Sequence, residues 1–479
     1  MIMKRCLAAI AIAMLAAGCA TNPATGKRQF SLMSEEQELQ IGQEQDVQTR
    51  REMGVYADDS LQQYVTSVGQ RLAQVSERPN LPWHFTVVDV PAVNAFALPG
   101  GYIYITRGIL PFLQDESQLA CVLGHEIGHV TARHAAEQYS RATGAQLGLI
   151  LGSVFVPGGA ELAQAGGSGL GLLFLKYGRD DEAQADQLGV RYAARAGWDP
   201  DGMPQMLTTL GRIEEASDNK GVPNWLSTHP VASDRVERVQ AAVQSAEAGA
   251  ARFTTDREGY LRHVDGVVYG DNPNQGVVRG NRFVHTGLRF SFEFPEGWDI
   301  DNGQTQVVAK EPGTSNVMVL QVLQHPVGRT IDDVAVGSMQ RAGFRAESGS
   351  ERSINGLTAF VGTYAGTMQG TGRVRIRAAH IEHDRDVLMV AGIAPVDVYD
   401  RVDPILNKAI DSFRPLSRGE AAEIRPNHVA LYTARQGDTW QSIAQREGDG
   451  LVKSTTLAIM NGHAADDPPR AGERLKIVR

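Results

Sequence analysis

Hydrophobic positions divide the chain into stretches of different period. Lys4 and Arg5 precede an unbroken apolar run from Leu7 to Ala17. These eleven residues fall short of the roughly 20 that a helix needs to cross a bilayer core, so residues 1–18 read as a signal peptide. Residues 19–50 are polar and rich in Gln and Glu, forming an arm that ends in a helix. From 51 to 250 apolar residues recur mainly at helical spacing, with one β-hairpin pattern at 83–106. Clusters of Gly, Asp and Asn at 251–282 mark a connector. Between 283 and 417 the pattern turns to strands, in Leu288 to Phe294, Val317 to Val322 and Val387 to Ala391. A polar linker, Arg418 to Pro426, precedes a small closing unit at 426–479. No self-similarity near 34 or 40 residues points to a helical solenoid. The expected architecture is multidomain: a mainly α domain with a small β-hairpin or sheet, then an α+β domain, then a small βααβ domain.

Composition narrows the classes. With 46 basic and 55 acidic side chains the formal charge is −9, the opposite of a nucleic-acid binder's basic footprint. Three cysteines are too few for a disulfide-stapled small fold. The signal run ends in Leu15-Ala16-Ala17-Gly18-Cys19, which resembles a bacterial lipoprotein cleavage box. That likeness implies cleavage before Cys19 and lipid attachment there. Ala20 after the cysteine resembles lipoproteins sorted to the outer membrane, facing the periplasm. Cys6 leaves with the leader, so Cys121 stays as the one thiol, expected to be buried.

The strongest chemical signal is His125-Glu126-Ile127-Gly128-His129. Residues i and i+4 share a helix face, so two imidazoles can converge on one metal ion, with Glu126 within reach of a metal-bound water. Asp115 can cap this helix and Gln118 completes a capping-box pattern. Leu119, Val122, Leu123, Ile127 and Val130 supply an apolar stripe. A catalytic zinc needs a third protein ligand and an open fourth position. The metzincin arrangement is excluded, because Ala132 and Ala135 stand where its glycine and histidine belong. His134, five residues after His129, would lie about 140° around a continuing helix, badly placed as a ligand. Glu182 and Asp186 lie one turn apart on a second helical pattern. One carboxylate can bind the metal while the other orients a ligand histidine. Gly189 and the small Ala183 and Ala185 would let the two helices approach closely.

These residues, with Asn94-Ala95-Phe96-Ala97-Leu98-Pro99-Gly100-Gly101 and Thr228-His229-Pro230 followed by Arg235, resemble the gluzincin peptidases. That family includes the HtpX, Oma-type and CAAX prenyl proteases, and the likeness is strongest to its soluble periplasmic, BepA-like lipoprotein branch. It spans about residues 40–245. The resemblance implies a zincin-like domain with one Zn2+ on His125, His129 and Glu182, and Glu126 as base. It implies Asp186 and Arg235 as organising residues around the ligands. His229 can assist the transition state or block the water position. Asn94, Ala95, Phe96, Gly100 and Gly101 are the candidate substrate-binding residues. The strand Tyr102 to Thr106 could offer an edge to an extended peptide, or the hairpin could simply pack. The Gly-rich, apolar insertion at 144–175 fits a lid or a buried helical hairpin.

The middle domain opens with Phe290-Ser291-Phe292-Glu293-Phe294-Pro295-Glu296-Gly297-Trp298, loosely similar to small PsbP/Mog1-type α+β domains. Residues 426–479 resemble a LysM module, which implies affinity for peptidoglycan. The function expected is a zinc metalloendopeptidase acting on unfolded or misassembled envelope proteins. Two other readings fit part of the pattern: a chaperone-like assembly factor with little proteolysis, and a peptidoglycan-associated hydrolase.

Overall fold

The computed structural model describes residues 19–141, 177–216, 229, 235–247, 252–303, 305–324 and 328–479. Residues 1–18, expected to be a leader, and the insertion at 144–175 lie outside the described residues. The chain forms two compact units. One comprises Met1–Arg50, Gly54–Gly270 and Asn427–Arg479, and the other Arg51–Met53 and Asp271–Pro426.

The helix Glu116–Thr131, which carries both motif histidines, is the centre of the first unit. Its sequence predicts one apolar stripe, yet every residue from Ser117 to Thr131 is buried. Helices Asp59–Gln74, Arg179–Arg195 and Gly202–Ala216 and a small sheet surround it, so its polar face meets protein instead of water. The Asp115 carboxylate caps the helix by accepting from the Gln118 amide at 3.0 Å. Gln118 Oε1 accepts from the Gln114 amide at 3.0 Å, one residue earlier than a capping box would place it.

The hairpin pattern at 83–106 is a three-stranded sheet. Tyr102–Thr106 lies between His84–Val88, which it pairs parallel, and Ala95–Leu98, which it pairs antiparallel. Tyr102–Thr106 is therefore central and buried at every position, and it offers no edge to a peptide. His84–Val88 and Ala95–Leu98 are the two outer strands of this sheet. Gly100 and Gly101 turn the chain between these two strands at φ 81° and 101°, backbone angles that favour glycine. A Cβ on Gly100 would come within 3.1 Å of Glu38 O and Leu39 Cα, so the turn also admits the arm helix Glu35–Met53.

The closing segment runs strand Asn427–Thr433, helices Trp440–Gly448 and Ser454–Met460, and strand Arg474–Val478. Its linker pattern suggests a unit set apart, but it packs within the first compact unit. Asn427 and His428 pair with Tyr269 and Val268, and Val429 joins the core that contains Leu119 and Leu123. Lys476 is fully buried. Its ammonium donates to Leu113 O and to Gln114 Oε1, directly before the cap of the motif helix.

The second unit holds a seven-stranded antiparallel sheet. Its strand order is Asp299–Asn302, Gln306–Lys310, Val317–Gln324, Asp386–Pro395, Gly372–His383, Leu357–Met368 and Arg345–Ile354. Phe283, Phe290, Phe292 and Phe294 enter one apolar core with Leu320 and Ile381, and helices Ile331–Arg341 and Tyr399–Asp411 complete an α+β unit. No helix among the described residues is long and apolar enough to cross a membrane.

Candidate metal centre

Small residues bring the two site helices together. A Cβ on Gly189 would lie 2.9 Å from His125 N, and one on Gly128 would lie 3.0 Å from Ala185 O. Ala185 is buried at this crossing, whereas Ala183 is half-buried. Gly189→Val should therefore force the helices apart, lowering stability by about 1–3 kcal/mol and spreading the donors. An unchanged melting temperature would contradict this packing argument.

At the crossing four buried side chains, His125, His129, Glu182 and His229, point donor atoms at one another within 4.8 Å. His125 Nε2 lies 3.0 Å from His129 Nε2 and 3.3 Å from His229 Nδ1. Glu182 reaches within 3.7 Å of His125 Nε2, 3.5 Å of His129 Nε2 and 2.9 Å of His229 Nδ1. A tetrahedral zinc with ligand bonds of about 2.0–2.1 Å has its donors about 3.3–3.4 Å apart, so this donor set fits that ion in spacing and chemistry. Glu126 is fully buried, with Oε1 3.6 Å from His229 Nε2.

Charges around the donors set their protonation. Asp186 Oδ1 accepts from His125 Nδ1 at 2.9 Å, which leaves Nε2 as the lone-pair side of that ring. Arg235 grips Asp186 with two bonds, Nε to Oδ2 at 2.7 Å and an η-nitrogen to Oδ1 at 2.8 Å. Its other η-nitrogen donates to His229 O at 3.2 Å and lies 3.0 Å from Glu182 Oε2. Burial alone would raise both carboxyls. The facing histidines hold Glu182 well below the usual range, and Arg235 and His125 hold Asp186 below its own. Burial pushes His125 down to about 3 despite its bond to Asp186. An anionic Glu182 and a neutral His125 are the states a cation requires of these two groups.

Removing Arg235 would strand two buried carboxylates. Arg235→Leu should cost about 3–5 kcal/mol at neutral pH. Because Asp186 and Glu182 are depressed in the folded state, their stabilisation exists above about pH 4 and is lost as pH falls through their folded values. The deficit of the variant should therefore shrink on acidification. Denaturant midpoints of metal-stripped protein at pH 7 and at pH values below about 4, where the folded carboxyls take up protons, check this, and a pH-independent deficit would refute it.

Asn94, Ala95, Phe96, Gly100 and Gly101 lie in the strand Ala95–Leu98 and in the turns beside it. The Asn94 amide donates to Thr106 Oγ1 at 3.0 Å, and Phe96 stacks on Tyr104 with centroids 4.8 Å apart. Ala97, Leu98 and Pro99 border a small cavity with His129 and Tyr177. Cys19 begins the described chain in the strand Cys19–Thr21. Cys121 is buried in the motif helix, and burial raises its thiol pKa.

One residue near the donors escaped the sequence reading, and a second, His134, was considered there only as a ligand. Tyr177 stacks on His129 at 3.9 Å between centroids, and nothing in the pattern directly after the insertion marks it. His134 places Nδ1 2.9 Å from His129 Nδ1. The motif helix ends at Thr131, and Arg133 takes a left-handed φ of 62°, so the rotation of a continuing helix does not apply to His134.

Residues 59–243 match peptidase family M48. The mitochondrial metalloendopeptidase OMA1 of Schizosaccharomyces pombe is 31% identical over 245 residues, covering 49% of this chain and 68% of that protein. The chain belongs to peptidase family M48. The beta-barrel assembly-enhancing protease of Escherichia coli K12 is 33% identical over 227 residues, 45% of this chain and 46% of that one. The chain thus spans about half the length of that family member. The solved cyanobacterial PsbP from Synechocystis matches at 15% identity and a TM-score of 0.25 over 30% of this chain and 98% of that one, too slight a likeness to assign a fold. The family match begins after the arm helix and includes all four converging donors.

Proposed function

We propose that this chain is a zinc-dependent endopeptidase that hydrolyses peptide bonds of unfolded or misassembled cell-envelope proteins. The observation that carries the reading is the convergence of His125, His129 and Glu182 with Glu126 one residue past the first ligand. Zinc, when bound, supplies a Lewis acid that acidifies water and polarises a carbonyl. Glu126 accepts the proton of the attacking water and returns it to the leaving amine. Asp186 and Arg235 hold the His125 ring, while the His229 ring stands beside Glu126 at the fourth corner of the donor set. From there it can hold an oxyanion or, at rest, close the water position.

The name of the Escherichia coli relative supports an envelope substrate, and the Leu15-Ala16-Ala17-Gly18-Cys19 box supports a lipid anchor on Cys19 at the outer membrane, facing the periplasm. The strand–helix–helix–strand order of Asn427 to Val478 supports a LysM-like module with affinity for peptidoglycan. The test is zinc analysis and casein cleavage by the mature protein and by Glu182→Ala. The variant should lose its one zinc and its activity, and full retention of both would remove Glu182 as a ligand. Digestion of sacculi alongside casein separates the wall-hydrolase reading, since release of muropeptides alone would replace peptide cleavage as the activity.

A further inference from the structure

We infer that His134 is a positioning residue that fixes the tautomer and ring direction of His129; the inference rests on the zinc reading of the site. His129 Nε2 faces His125 Nε2 at 3.0 Å and Glu182 Oε1 at 3.5 Å, so this nitrogen must present a lone pair to a cation. The ring proton then sits on Nδ1 and needs an acceptor. Asp186 serves His125 in this way. For His129 the partner is another imidazole, His134 Nδ1 at 2.9 Å.

The far side of His134 settles which ring donates. His134 Nε2 lies 2.9 Å from Gln184 Oε1 and 3.9 Å from Asp181 Oδ1. Both are acceptors, so Nε2 carries the proton of His134 and Nδ1 is left to accept. The relay runs His129 Nδ1–H to His134 Nδ1, then His134 Nε2–H to Gln184 Oε1. His134 is not itself a ligand, because its Nδ1 meets the side of His129 that faces away from the converging donors. A second histidine on Nδ1 orients the ligand without adding a fourth buried carboxylate to Glu126, Glu182 and Asp186.

The fold secures the relay at both ends. Gln184 stands two residues from Glu182 on the helix Arg179–Arg195, so one rigid element carries a ligand and the last acceptor. His134 is delivered by the left-handed turn at Arg133, whose Nε donates to Glu38 Oε2 at 3.1 Å and whose η-nitrogen donates to Met33 O at 2.8 Å. Asn22 Nδ2 donates to Ala132 O at 3.1 Å, and Arg78 donates to Val130 O and Glu38 Oε1, each at 3.1 Å. The arm residues thus hold the turn that aims the relay.

The experiment compares His134→Leu and His134→Asn in the mature protein, reading zinc affinity by competition with a chromogenic chelator. Asn can place an acceptor oxygen near the position of Nδ1, while Leu keeps bulk without an acceptor. The expected result is zinc binding about 10–100-fold weaker for Leu and within about threefold of wild type for Asn. Equal affinity in all three proteins overturns the inference, and so does equal weakening in both variants, which would mark a packing role. Should His134→Leu fail to fold, as judged by circular dichroism, Gln184→Leu is read by the same assay. Weakened binding there supports the relay, and wild-type affinity overturns it. Glu182→Ala in parallel separates the failures: zinc retained without Glu182 defeats the site reading itself, whereas zinc lost there but unaffected by His134→Leu defeats only the relay.

Discussion

Glu126→Gln is expected to lower peptide hydrolysis by about 10²–10⁴-fold while leaving zinc content and melting temperature near those of the unaltered protein. The carboxyl is fully buried inside the motif helix, and an amide of nearly the same shape fills that space. The amide cannot accept the proton of an attacking water, so the chemical step loses its base while the donors His125, His129 and Glu182 remain in place. Casein cleavage and zinc content measured on one preparation check this. Activity above about a tenth of wild type would remove Glu126 from the base role. The same variant separates enzyme from chaperone in the cell. If this chain acts by binding unfolded envelope proteins, the phenotype of Glu126→Gln will match wild type; if it acts by cleavage, it will match the deletion.

Ending the chain before Asn427 should unfold the unit that holds the metal centre, or leave it barely stable. The lost segment covers Phe112, which clusters with Ile459, Met460 and Val478, and it takes Val429 out of the shared core. Each large apolar side chain returned to water costs about 1.5–3 kcal/mol. Leu113 O and Gln114 Oε1 lose the Lys476 ammonium, and Arg257 loses Arg474 O as one of its two acceptors. Uncovered by the same truncation, these acceptors turn to water, so each lost bond costs only about 0.5–1.5 kcal/mol. A typical total stability is only about 5–15 kcal/mol, so these losses take a large share of it. Because Gln114 immediately precedes the Asp115 cap, the damage falls at the start of the helix bearing His125 and His129. Denaturant unfolding followed by tryptophan fluorescence, with zinc binding on the same samples, is the check. A truncated chain with an unchanged midpoint would show that the segment is separable.

The local chemistry was legible because it is short-range. A spacing of four on a helix aligns His125 with His129 and Glu182 with Asp186, whatever surrounds them. Which carboxylate faces the imidazole Nε2 atoms was open from the residues alone. It was decided by helix packing through Gly128 and Gly189, which turns Glu182 to the imidazole Nε2 atoms and Asp186 to the back of His125. The Phe290 to Phe294 alternation likewise marked a strand, but not its place in a four-stranded sheet between Arg282–His285 and Arg414–Pro415.

What the sequence determined by itself was the set of reactive groups, their pairing along single helices, and the change from helical to strand period near residue 283. Tertiary structure alone decided that Tyr102–Thr106 is a central strand, that His134 turns back onto His129, and that Lys476 reaches the start of the motif helix. Periodicity reports how one segment divides its own faces. Which distant segment covers each face depends on burial and hydrogen bonding between residues up to several hundred positions apart, and no local pattern contains that information.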